Sequence, residues 1–309
     1  MKCRSEVRVA RSGILEQPNG RESMQVTMYC RFYGLIEKPF NVTSDPAFFF
    51  LSSQHKEALS HLVYGTTQRK GIIVLTGEIG TGKTTLCRFF LSQLDKKTRT
   101  ALILNPHFSE IQLLEAILMD FGIKRYGHNS RLALTRALNN FLLKETRAGN
   151  NVVLIIDEAQ NLMPHVLEEV RLLSNLETEK EKLLQVVLVG QPELNDRLHL
   201  HELRQLRQRI MVNYHIGSLK QVELKNYIRH RLDVAGAASR IEFSDEALEL
   251  IYVFSGGTPR LVNIVCDRAL LAGFVSATSK IDGGMVKRCV EELKLHSVGD
   301  QGGQGGLVR

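Results

Sequence analysis

Eight residues constrain this chain more than any others: Gly77-Glu78-Ile79-Gly80-Thr81-Gly82-Lys83-Thr84. They match G-x-x-x-x-G-K-[ST] at every fixed position. In that pattern the glycines let backbone N–H groups turn inward around phosphate oxygens. Lys83 supplies a point charge for the β- and γ-phosphates, and the Thr84 hydroxyl can coordinate Mg²⁺. The loop leads into a helix, whose N-terminus favours an anion. Context agrees, because the strand-like run Ile72–Thr76 precedes the loop and the helix-like stretch Thr84–Leu94 follows it. Gly77 to Thr85 are therefore the candidate phosphate-binding residues. The alternative is a glycine turn carrying a surface lysine.

A second signal lies downstream. The apolar run Val152–Ile156 leads directly into Asp157-Glu158. Two acids at the end of a buried strand are costly without a cationic partner. Mg²⁺ carried with ATP is such a partner, with Asp157 as its ligand beside Thr84. Glu158, one residue further on, is placed to polarise an attacking water. A third run, Leu183–Val189, ends in Gly190-Gln191, and Gln191 is a candidate for the γ-phosphate or the water. Gly256-Gly257-Thr258-Pro259-Arg260 opens a later helix, from which Arg260 is a candidate phosphate contact. A plain strand-end residue and a surface arginine are the respective alternatives.

The wider chain divides into a few regions. Residues 1–27 carry no helical or strand periodicity and no apolar core segment, so a disordered extension is expected, with Met28 a plausible start. An aromatic lead-in, 28–70, ends in an amphipathic helix over Gln54–Tyr64. Over 71–216, short apolar runs (Ile72–Thr76, Ala101–Leu104, Val152–Ile156, Gln185–Val189, Met211–Ile216) alternate with helical stretches. That is the pattern of a doubly wound parallel α/β domain, here placed at 28–216 with the lead-in. Residues 217–295 show only helical periodicity, near 220–235, 244–254, 259–274 and 283–294, and so predict a small all-helical domain. The glycine-rich end, 296–309, reads as a flexible tail.

Composition excludes some classes. At 43% hydrophobic and 24% charged, the 309 residues read as an ordinary globular chain. No apolar run reaches the ~18–20 residues of a membrane span. The five cysteines, Cys3, Cys30, Cys87, Cys266 and Cys289, are widely spaced with no C-x-x-C, which predicts reduced thiols and no zinc site. The net charge of +7 permits nucleic acid or an anionic surface without requiring either. Its clearest internal cluster is Arg197, Arg204, Arg207 and Arg209, against Asp196 and Glu202.

These features together resemble the AAA+ ATPases, and more narrowly the general secretion pathway protein A (ExeA-like) family. The resemblance covers roughly residues 28–295. It is carried by YCRFYGLIEKPFNVTSDPAFFFLSSQHKEAL, LTGEIGTGKTTLCRFFL, VVLIIDEAQNL, VLVGQPELNDRL, LRQLRQRI, YIRHRLDVAG and SGGTPRLVNIVCDRALLAG. It implies a five-stranded sheet of order 5-1-4-3-2 and a helical lid, with Gln191 as sensor 1 and Arg260 as sensor 2. It also implies an arginine finger in LRQLRQRI that acts on a neighbouring subunit's ATP, Arg209 first and Arg207 second; a solvated basic face is the alternative. The lead-in would cover the adenine, through Tyr29, Phe32, Gly34, Leu35 and Phe40, unless these residues simply pack. Full-length secretion members continue into a membrane span and a peptidoglycan-binding domain, for which residues 296–309 offer no counterpart.

The resulting expectation is a Mg-dependent ATPase that forms homo-oligomers. It would couple nucleotide state to assembly of a secretion, pilus or exopolysaccharide apparatus, from the cytoplasm or the inner face of the membrane. Two alternatives stand beside it. One is a DNA-binding helper ATPase of the transposition or replication-initiator type. The other is a nucleotide-gated scaffold with negligible turnover, against which the intact Glu158 argues.

Overall fold

The computed structural model describes residues 29–104, 106–123, 130–179, 181–236 and 240–299. The expected extension over 1–27 and residues 300–309 of the expected tail lie outside them. After a short helical stretch at 29–33 and the first of the three 3-10 turns among the described residues, Pro46–Phe48, the order is α1 Ser53–Thr67, β1 Ile72–Gly77, α2 Lys83–Gln93, β2 Thr98–Ile103, α3 Glu110–Asp120, α4 Arg131–Arg147 and β3 Asn151–Ile156. Then come α5 Pro164–Leu173, β4 Gln185–Gly190, α6 Glu193–Leu198, α7 Arg204–Arg207 and β5 Ile210–Ile216. The chain ends in α8 Gln221–Val234, β6 Glu242–Phe243, α9 Asp245–Ser255, α10 Pro259–Val275, β7 Lys280–Ile281 and α11 Gly283–Gly299.

The five long strands are all parallel, in the order β5-β1-β4-β3-β2. This is the 5-1-4-3-2 order that the family resemblance implies. Strand periodicity sorts the core onto the two faces of the sheet. Ile72, Val74, Leu154 and Val186 meet α3, α4 and α5 on one face. Ile73, Leu75, Ile155 and Val187 meet α1 and α2 on the other. Interior strands β1 and β4 are buried at every residue, which is why they read as continuous apolar runs. Edge strand β2 begins three residues before its apolar run, because at the sheet edge Thr98 and Thr100 are only half-buried and Arg99 is exposed. Arg99 lies there against Glu145, 3.0 Å away.

Two features differ from the expectation. The second domain is not all helical: β6 and β7 form a two-residue parallel pair, Glu242 with Lys280 and Phe243 with Ile281. Two residues are too few for alternation to show. The lead-in, grouped above with the α/β domain, shares its core with the helical domain instead. Tyr29, Tyr33, Leu35 and Phe40 are buried against Tyr227, Ile228, Ala269 and Leu270. The phenol of Tyr29 donates to Asp267 at 3.0 Å, and that of Tyr33 donates to the carbonyls of Leu270 at 3.0 Å and Thr278 at 3.1 Å. Arg231 of α8 completes the attachment by donating to the backbone carbonyls of Pro39 at 2.5 Å and Asn41 at 2.9 Å.

Candidate active site

The site forms where β1 and β3 end. Strand β1 delivers the loop 77–84, and Lys83 is the first residue of α2. Gly80 and Gly82 have φ of +83° and +94°, where a Cβ is strained. Gly80 is also crowded, since a Cβ there would lie 2.6 Å from the Cβ of Arg260. The Lys83 ammonium is buried and donates to the carbonyls of Gly77 at 2.8 Å and Glu78 at 2.9 Å. Burial pulls its pKa down, while the carboxylates of Glu158 and Asp157 push the other way.

Strand β3 brings the acids. The Thr84 hydroxyl donates to Asp157 Oδ2 at 2.5 Å, and the Glu158 N–H donates to Asp157 Oδ1 at 2.9 Å. Burial raises the Asp157 pKa, partly offset by those two bonds. Glu158 takes φ = +55°, a left-handed conformation uncommon for a side-chain-bearing residue, where strain at functional sites collects. Its Oε2 accepts from Gln160 Nε2 at 2.5 Å and from Gln191 Nε2 at 3.2 Å. The Gln191 N–H donates in turn to Gln160 Oε1 at 3.0 Å, which closes a three-residue network.

A cavity of about 330 Å³ opens over this cluster. Ile79 to Thr85, Glu158 and Arg260 line it. Gly77 and Glu78 do not, and serve as acceptors for Lys83 instead. Arg260 reaches the loop through its backbone as well, its N–H donating to Gly80 O at 3.2 Å. Gln191 faces Glu158 rather than the cavity.

The far end of the cavity corrects one expectation. Tyr29, Phe32, Gly34, Leu35 and Phe40 do not line it. Tyr29, Leu35 and Phe40 are spent in the helical core, and Phe32 packs edge-on against Tyr33 and Phe274. The lining comes from the next stretch, Val42–Asp45 and Phe48–Phe50, with Tyr227, Arg231 and Asn263 from the helical domain. These residues lie inside the segments that carry the family resemblance, but nothing in their types or spacing singles them out as lining a ligand site. The same holds for His55, which also lines the cavity.

Arg209 stands elsewhere. It directly precedes β5, whose first residue pairs with Ile72 and whose last pairs with Gly77. At ~3.3 Å per residue, that leaves Arg209 about 20 Å from its own loop, at the opposite end of the sheet. Arg209 is half-buried, and its charge helps Lys182 to lower the pKa of the Glu177 carboxyl, whereas Arg204 and Arg207 are exposed.

The residues fit the ligands that the motifs imply. A phosphate chain needs inward N–H groups and a cation, which the loop and Lys83 supply. A hard divalent cation needs oxygen donors, which Thr84 and Asp157 bring together.

Comparison with known proteins agrees. The AAA domain family model matches residues 66–198. The chain is 45% identical over 283 residues to general secretion pathway protein A of Aeromonas hydrophila, an alignment covering 91% of this chain and 51% of that protein. The chain thus spans about half the length of this curated relative. Among solved structures it is similar to Cdc6p of Pyrobaculum aerophilum, with a TM-score of 0.61 at 19% identity over 80% of this chain and 70% of that one. It is also similar to the ORC2 protein of Aeropyrum pernix in ADPNP–ADP complexes, with a TM-score of 0.58 at 17% identity over 76% and 66% of the two chains. A third is the RuvB Holliday junction branch migration motor of Thermotoga maritima, with a TM-score of 0.53 at 23% identity over 77% and 68%. Among the described residues, no helix is long and apolar enough to cross a membrane. On its strand order, its phosphate loop and its relative, this chain belongs to the AAA+ P-loop ATPases, as a member of the general secretion pathway protein A (ExeA-like) family.

Proposed function

We propose that this chain binds Mg·ATP in the cavity over β1 and β3 and hydrolyses it. The observation that carries the proposal is the meeting of Lys83, Thr84 and Glu158 in the lining of one cavity, with Asp157 held against Thr84. Lys83 and the backbone N–H groups of the loop hold the phosphates, and Arg260 adds charge from the helical domain. Thr84 and Asp157 hold Mg²⁺, which neutralises charge on the phosphate oxygens when bound. Glu158 accepts the proton of the attacking water. Gln160 and Gln191 fix its carboxylate by bonding Oε2, so Oε1 is the oxygen that takes the proton. Gln191 thus acts on the water through Glu158.

The distance of Arg209 from its own loop supports a role in trans. A neighbour would supply Arg209 to this site in a head-to-tail homo-oligomer. The relative's name, general secretion pathway protein A, supports service to a secretion apparatus, and assembly of such an envelope apparatus from the inner face of the membrane is part of the same proposal. A DNA-stimulated helper ATPase is the second reading, favoured by the +7 charge and the exposed Arg204 and Arg207. ATP turnover measured with and without Mg²⁺, then with DNA at several salt concentrations, tests both. Mg-dependent turnover indifferent to DNA supports the first reading. Salt-sensitive stimulation by DNA favours the second. Absence of turnover contradicts both.

A further inference from the structure

The helix that precedes β1 contributes a side chain to the phosphate loop. His55, in the first turn of α1, is only 3% exposed, and its ring lies against the Thr81–Gly82 peptide at one edge of the cavity. Its Nε2 is 3.0 Å from the carbonyl oxygen of Thr81, and its Nδ1 is 2.7 Å from the hydroxyl of Ser52. A carbonyl oxygen can only accept, so Nε2 carries the hydrogen. The neutral ring then accepts at Nδ1 from the Ser52 hydroxyl, which selects that tautomer. Burial favours the neutral ring, since it lowers the His55 pKa. Ser52 is itself the N-cap of α1, its Oγ accepting from the His55 N–H at 3.3 Å. Phe49 closes the edge of the ring at 5.1 Å between centroids. On the other side, a Cβ at Gly82 would lie 3.2 Å from His55 Nε2.

We infer that His55 is a positioning residue for phosphate binding, acting through the Thr81 carbonyl. A peptide unit presents its C=O and N–H in opposite directions. Holding the Thr81 carbonyl toward α1 therefore turns the Gly82 N–H the other way, to the side of the loop on which a β-phosphate would be cradled. Without the imidazole the carbonyl loses its buried partner, and this peptide, flanked by a glycine, can rotate. Ser52 stands one step further back, as the group that sets the tautomer. The inference rests on the reading of the cavity as a nucleotide site.

Equilibrium titration of ADP and ATP against the full chain tests it, with thermal melting measured in parallel. His55→Ala should weaken ADP and ATP in the same proportion, by about 10-fold, because one hydrogen bond behind the shared β-phosphate is lost. His55→Gln carries an amide N–H near the position of Nε2 and should restore most of that affinity. Leu62→Ala, a fully buried position on the same helix, serves as the stability control. It should lower the melting temperature and leave affinity unchanged. His55→Ala binding both nucleotides as tightly as the wild type overturns the inference. So does a folded His55→Gln that binds no better than His55→Ala, or an affinity loss in Leu62→Ala equal to that of His55→Ala. Wild-type protein that fails to bind ADP would remove the nucleotide reading itself, and the inference with it.

Discussion

The hydroxyl of Thr84, on the first turn of α2, donates to the Asp157 carboxylate at the end of β3 at 2.5 Å. Residues 73 positions apart are thereby joined beside the cavity that Thr84 lines. The contact ties the phosphate loop to the acidic strand end, and it brings together two hard oxygens of the kind a divalent cation takes.

Asp157 bears a pH-dependent cost that can be measured. Burial raises its pKa, so ionising it disfavours the nucleotide-free fold. For a carboxyl raised on folding, the favourable contribution is complete below the ordinary pKa near ~3.9 and is lost as pH rises through the folded value. Asp157→Asn removes the charge while an amide can still serve Thr84 and the Glu158 N–H. The variant should melt above the wild type at pH 7, and the gap should close toward pH 4. Adding Mg·ATP should raise the wild-type melting temperature and leave the variant's nearly unchanged, and a chelator should abolish the wild-type gain. Melting curves at the two pH values, with and without ligand, check this.

Lys83→Ala removes the ammonium from the cavity. The loss of charge-assisted contacts to phosphate should weaken ATP by about 10–100-fold. Titration with a fluorescent ATP analogue reads it directly.

The lead-in has a structural job. Deleting residues 1–27 should leave melting and ATPase rate unchanged. Deleting through Phe40 removes the buried Tyr29, Tyr33, Leu35 and Phe40 from the helical core. Each such loss costs about 2–5 kcal/mol, so together they approach the whole stability of a domain. The longer deletion should lose cooperative unfolding of the helical part, seen by calorimetry, and nucleotide affinity should fall as a consequence.

The shared-site proposal predicts complementation. An arginine supplied in trans can contribute 10³–10⁵ to turnover in related P-loop enzymes, so Arg209→Ala should bind ATP and be nearly inactive. Mixed with inactive Glu158→Gln in equal amounts, about one interface in four is competent, and turnover should recover toward a quarter of wild type. A mixed oligomer as inactive as its parts would contradict the role of Arg209, and Arg207→Ala would then be tested in the same way.

What could be read from the residues follows a physical divide. β1 with its loop, and β3 with Asp157-Glu158, are legible because each unit is contiguous and its chemistry sits at fixed spacing. The interior strands are legible because burial on both faces makes them apolar throughout. The role of His55 was not, although it falls in a segment that carries the resemblance, because its partner Thr81 lies 26 residues away and one histidine on a helix sets no spacing. The attachment of Phe40 to the helical domain was equally hidden, since aromatic residues read the same whether they cover a ligand or fill a core. The β6–β7 pair was too short to carry a period.

In the proposed reaction Glu158 activates water at an ATP site built by Lys83, Thr84 and Asp157. Phosphate release from Mg·ATP by Glu158→Gln, measured beside its equilibrium affinity for ATP, tests it most directly. The substitution keeps the size of the side chain and removes the base, so affinity should stay within about 3-fold while turnover falls by about 10²-fold or more. Turnover retained at the wild-type rate, with ATP bound normally, would contradict the claim.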